Sequence, residues 1–150
     1  MLNYNISDLS NEVINKYQNA DPFPNIYIDN FFDEKFLNLV LEEFPDLSKL
    51  DSIKYDNKFE KKFAGKGDKS FGPNTKKLMY FLNSEEFLIF INKLTGIEET
   101  LIGDPYFSGG GLHEIKKGGV LKIHADFNRH NKTLLDRRVN LLIYLNKDWK

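Results

Sequence analysis

The sequence predicts a single α+β domain, with helices in its first two thirds and antiparallel strands in its last third. Three observations carry this. Apolar residues recur at helical spacing in several capped segments before residue 97. From residue 100 onward the signals change to alternating apolar residues broken by glycine pairs. No internal repeat and no linker interrupts the 150 residues, a length suited to one core.

The first helix is predicted in SDLSNEVINKYQNA, opened by Ser7, with Leu9, Val13, Ile14 and Tyr17 on one stripe and Pro22 and Pro24 beyond it. NIYIDNFF reads as a short strand with Ile26 and Ile28 on one side. DEKFLNLVLEEFP is an amphipathic helix. Asp33 caps it, Phe36, Leu37, Val40, Leu41 and Phe44 form its apolar stripe, and Pro45 stops it. Residues Leu47 to Pro73 are polar and Gly-punctuated and read as a long loop or irregular strand region. NTKKLMYFLNS and SEEFLIFINKLTG are two further helices, the second started by Ser84 and ended by Gly96. The strand region follows, with breaks at Gly109-Gly110-Gly111 and Gly118-Gly119. In RRVNLLIYLN, Leu141, Ile143 and Leu145 alternate with Asn140, Leu142 and Tyr144.

Composition narrows the function classes. Hydrophobic residues make up 41% of the chain and aromatics 14%, ample for a packed core. A net charge of −1 gives no general pull toward nucleic acid or anionic membranes. With no cysteine, disulfides, thiol catalysis and Cys-ligated metal sites are excluded. The expected setting is cytoplasmic: the N-terminus carries no secretory pattern, and no apolar run approaches the ~20 residues of a membrane span.

KIHADFNRH, Lys122 to His130, holds two of the three histidines. On a strand, His124 and Asp126 point to the same face, about 6–7 Å apart along it. An imidazole nitrogen and a carboxylate oxygen so placed can converge on one ion. They make up part of a 2-His-1-carboxylate facial triad, as in non-haem Fe(II) oxygenases. Zinc with a bound water is the other chemistry such ligands allow. The plain alternative is a surface His beside an Asp that opens a turn. Val120 and Lys122 share the His124 face under strict alternation, and a lysine there calls for a rim position or a bulge.

Three stretches resemble the prolyl-4-hydroxylase-like branch of the 2-oxoglutarate- and Fe(II)-dependent dioxygenases. GGGLHEIKKGGVLKIHAD is similar to that family's strand pair leading into its His-x-Asp. RRVNLLIYLNKDW is similar to the strand that follows, with its Tyr-Leu-Asn and Trp. PFPNIYIDNFFDEKFLNLVLEEFP is similar to its N-terminal strand–helix segment.

The resemblance implies a double-stranded β-helix, or jelly-roll, core with helical support over about 1–97 and strands over about 100–150. It implies Fe(II) held by His124 and Asp126, 2-oxoglutarate as cosubstrate, dioxygen as co-reactant, and ascorbate as an optional reductant. It places Tyr144 in the pocket as a hydroxyl donor to the cosubstrate carboxylate, with Asn140 a lesser candidate for the same pocket. The substrate class stays open, and the aromatic-rich KYDNKFEKKFAGKGDKSFGP loop is where its contacts are expected.

The family pattern also needs a distal His and, after it, an Arg or Lys for the cosubstrate's other carboxylate. Neither has a match here, and the closing jelly-roll strands are missing as well. The chain is then part of a longer protein, a naturally shortened relative, or completed by another histidine. His113 could neighbour His124 across a Gly118-Gly119 turn, and His130 lies beyond a turn. Their plain roles are a sheet residue for His113 and a solvated loop residue for His130. A rival reading is a non-catalytic jelly-roll module that binds a partner or ligand. A lesser one is a zinc- or manganese-dependent cupin-like enzyme.

Overall fold

The computed structural model describes residues 1 to 147. They form two compact units: one of Met1–Glu43 with Gly72–Pro105, the other of Phe44–Phe71 with the chain from Tyr106 onward. The fold is mixed, with helices in the first unit and an antiparallel sheet in the second.

The helical unit contains α1 (Asn11–Gln18), α2 (Glu34–Glu42), α3 (Pro73–Leu82) and α4 (Glu85–Thr95). α1 starts later than the sequence suggests. Asn5 takes the Ser7 amide on its side chain, 3.1 Å, in a local turn. Ser10 is therefore the residue whose hydroxyl caps the helix, accepting from the Val13 amide at 3.3 Å. Asp33 caps α2, Ser84 caps α4, and Gly96 closes α4 in the left-handed conformation, φ 70°, all as predicted.

α3 has no side-chain cap of its own. The Glu43 carboxylate, at the end of α2, replaces it by accepting from the Thr75 amide and, at 3.2 Å, from the Asn74 side chain. The core is aromatic: Phe31, Phe81, Phe87 and Phe90 make tilted or edge contacts at 5.3–6.3 Å, over buried Val40, Leu78, Ile91 and Leu94.

The sheet unit decides between the two readings of residues 47–73. Of the two alternatives, a long loop or an irregular strand region, the strand one holds: β1 (Ile53–Asp56) and β2 (Glu60–Ala64) form a regular hairpin there, in register Ile53↔Ala64 to Asp56↔Lys61. Asn57 closes its turn by accepting from the Phe59 and Glu60 amides. β3 (His113–Glu114) and β4 (Val120–Leu121) then both pair antiparallel with the free edge of β2.

β3 and β4 therefore lie end to end on one edge and are not joined as a hairpin. Phe63 faces Glu114 and Lys61 faces Val120, so residues 115–119 are an insertion opposite Lys62. Gly118, φ 81°, turns this insertion back into line, and the Gly119 amide donates to the Lys116 carbonyl at 2.7 Å. The buried apolar residues of this unit are Leu47, Ala64, Phe71, Phe107 and Leu112. The Leu47 amide is held by Glu114 at 3.0 Å.

Two predicted strands do not form ladders. In residues 25–32 Ile26 and Ile28 are half-buried and Tyr27 is exposed, as a strand would have it. Among the described residues the only bridge there is Leu2↔Phe32, and Pro22 and Pro24 just before the segment offer no amide to a partner. Residues 139–146 are likewise outside any strand. Ile143 and Leu145 are half-buried and Leu142 and Tyr144 exposed, but Leu141, expected on the side of Ile143 and Leu145, is exposed as well, and no neighbour pairs with this backbone among the described residues. The tryptophan of the YLNKDW motif, Trp149, lies outside the described residues. No helix among the described residues is long and apolar enough to cross a membrane.

Candidate metal centre

β4 ends the ladder just before the candidate ligands. The last bond runs from the Lys122 amide to the Phe59 carbonyl, 2.9 Å. The Lys122 ammonium then lies 5.7 Å from the centre of the Phe59 ring, so its side chain packs on the hairpin. The tension over a lysine on the His124 face is resolved in this way. Lys122 serves the site with its carbonyl, which lies 2.7 Å from Nδ1 of His124. A carbonyl only accepts, so Nδ1 carries a proton here, and in the neutral ring Nε2 is the nitrogen with the lone pair.

Nε2 lies close to Asp126. Nε2 of His124 is 3.7 Å from Oδ1 of Asp126, with side chains 34% and 46% exposed. Two ligands about 2.0–2.2 Å from one ion can span such a separation, so the nitrogen and oxygen fit a shared metal. The other carboxylate oxygen is engaged differently. Oδ2 lies 3.2 Å from Nη2 of Arg137 and 3.5 Å from Nδ2 of Asn140. Arg137 also donates to Oδ1 of Asn140 at 3.0 Å.

The segment between Asp126 and Arg137 is a closed loop. Arg129 bridges Asp136, the His130 amide donates to Leu135, and the Arg137 amide donates to Asn128 at 2.8 Å. His130 holds the loop from inside. Its side chain is buried (7% exposed), and Nδ1 accepts from the Lys132 and Thr133 amides at 3.1 and 3.0 Å. This corrects the expectation of a solvated His130: the ring supplies an acceptor that two loop amides would otherwise lack. Phe127 packs on the far side, 4.9 Å from the Arg137 guanidinium. Gly109, φ 72°, passes so close to Phe127 that a Cβ there would sit 2.5 Å from the ring.

His113 is in the sheet, paired with Ala64, as its plain role predicts. Its pKa is lowered, first by partial desolvation of the ring and next by the Lys62 ammonium, while Asp126 pulls it up. Among the described residues no group of three or more His, Asp or Glu side chains is arranged to hold a metal ion.

The sequence-derived site residues thus divide. His124, Asp126 and Asn140 come together. Tyr144 is 76% exposed and makes no hydrogen bond to the pair among the described residues. Asn140 meets the Asp126 carboxylate, a contact that differs from its expected place beside the cosubstrate. Arg137 was missed. The signal was present in RRVN, which sets a guanidinium three residues before Asn140. Comparison of the chain with protein-family models, with curated proteins and with solved structures finds no match.

Proposed function

We propose that the chain carries the His-x-Asp half of a 2-oxoglutarate- and Fe(II)-dependent dioxygenase centre, which hydroxylates a substrate whose class stays open. The observation that carries this reading is the approach of His124 Nε2 and Asp126 Oδ1 to 3.7 Å, with Nδ1 fixed by a carbonyl. Ferrous iron there would supply the coupling of 2-oxoglutarate decarboxylation, to succinate and carbon dioxide, with insertion of one oxygen atom of dioxygen into a substrate C–H bond. His124 contributes a neutral nitrogen donor and Asp126 an anionic oxygen donor. The ligand positions beyond these two fall to other groups. A jelly-roll architecture around the sheet, a pocket role for Tyr144 and a reducing, cytoplasmic setting belong to the same proposal.

The second reading is a non-catalytic binding module. It is favoured by the two-member ligand set and by the solvent exposure of Tyr144.

Succinate formation separates the two. With Fe(II), dioxygen and 2-oxoglutarate but no substrate, the enzyme reading expects slow succinate release that His124→Ala and Asp126→Ala abolish. Succinate at the level of the protein-free control in all three would leave the binding module.

A further inference from the structure

We infer that Arg137 is a positioning residue for the Asp126 carboxylate, itself oriented by Asn140 and delivered by the loop that His130 closes. The inference rests on the metal reading of His124 and Asp126. A carboxylate that is 46% exposed samples several rotamers, and fixing it on metal binding costs conformational entropy. Here one oxygen is tied back and the other is left toward His124. Arg137 Nη2 takes Oδ2 at 3.2 Å, so Oδ1 is the oxygen presented to Nε2.

An ordinary surface ion pair would have two mobile partners and would do little. Arg137 is fixed at both ends. Its amide is bonded to Asn128, its guanidinium rests on Phe127, and its head donates to Asn140 Oδ1 at 3.0 Å. With a side chain 21% exposed, it is the more enclosed partner of the pair. Preorganising a ligand oxygen in this way is the task of the groups behind a metal ligand.

Mn(II) binding to the whole chain, read from the free-ion paramagnetic resonance signal, tests this. Wild type, Arg137→Ala, Arg137→Lys, Asn140→Ala and His124→Ala are compared. Arg137→Ala is expected to weaken Mn(II) binding about 10- to 100-fold, in the range typical of groups behind a ligand. Added methylguanidinium should restore part of the loss, and Arg137→Lys should fall between. Asn140→Ala should weaken binding less, without unfolding the chain.

Unchanged or tighter binding by Arg137→Ala would overturn the inference. Tighter binding would mean that the guanidinium competes with the cation. A loss that neither methylguanidinium nor lysine relieves would assign Arg137 a purely structural role and also overturn it. If wild type binds and His124→Ala does not, the metal reading survives whatever Arg137 does. If wild type fails to bind, both fall together.

Discussion

Nε2 of His124 stands 3.7 Å from Oδ1 of Asp126, and the imidazole's other nitrogen is committed to the Lys122 carbonyl. The arrangement depends on where the ladder stops. Lys122 makes the last backbone bond to β2, and the chain leaves the sheet with His124 and Asp126 close together. Their neighbourhood is then set by the His130 loop and not by a strand partner.

That loop can be tested directly. His130→Ala removes the acceptor for the Lys132 and Thr133 amides and should cost about 1–3 kcal/mol. Hydrogen exchange at those two amides should accelerate. His130→Asn, whose carbonyl can take the place of Nδ1, should restore part of the protection. Equal exchange in wild type and His130→Ala would show that the ring does not hold the loop.

The exchanged cap between α2 and α3 makes a second prediction. Glu43→Ala should destabilise the protein by about 0.5–2 kcal/mol in denaturant unfolding, the range for a lost helix cap. Burial pushes the Glu43 pKa up, but hydrogen bonds from Thr75 and Asn74 outweigh it and leave the carboxyl below its ordinary value. Its contribution is therefore present above the unfolded value of about 4.3 and is lost as pH falls through the lower folded one. Wild type and Glu43→Ala should converge in stability as the solution is acidified. Gly72→Ala should mimic the loss at neutral pH, because a Cβ there would lie within 2.7 Å of both carboxylate oxygens.

Leu47 is fully buried, with its amide on Glu114 of β3. Leu47→Ala should cost about 2–5 kcal/mol, from lost burial and the cavity left behind. A change below about 1 kcal/mol in urea unfolding would mean that the sheet unit is packed elsewhere.

His113 reports on the charges around the site. Its folded pKa lies below the ordinary value of about 6.5, so the unfolded chain binds the proton more readily. The stability it protects is complete above that value and declines as pH falls through it toward the folded value. In an NMR titration Lys62→Met should raise the His113 pKa, because an opposing positive charge is removed. Asp126→Asn should lower it. Shifts of the opposite sign would contradict the local charge arrangement.

Helix capping was legible in the sequence because it is local. Asp33, Ser84 and Gly96 act within four residues of the amides and carbonyls they satisfy. Strand alternation was legible only in part: Ile26 and Ile28 are more enclosed than Tyr27, and Ile143 and Leu145 more than Leu142 and Tyr144, but Leu141 is exposed and neither segment is a strand. Pairing was not, because it depends on a partner distant in sequence. The Gly118-Gly119 break looked like a hairpin turn for the same reason, since an insertion and a turn share their glycines and differ only in what lies opposite. At the site, the His-x-Asp pair could be found from spacing. Arg137 was marked only by its place in RRVN, three residues before Asn140, and buried His130 by nothing local, because the loop between residues 128 and 137 creates their contacts.

The most direct test of the central claim is binding of 2-oxoglutarate to the purified chain, by calorimetry without oxygen, with and without Fe(II), beside His124→Ala. The account predicts binding that requires Fe(II) in wild type and is absent in the variant. Binding of 2-oxoglutarate without Fe(II), or equal binding by His124→Ala, would contradict it.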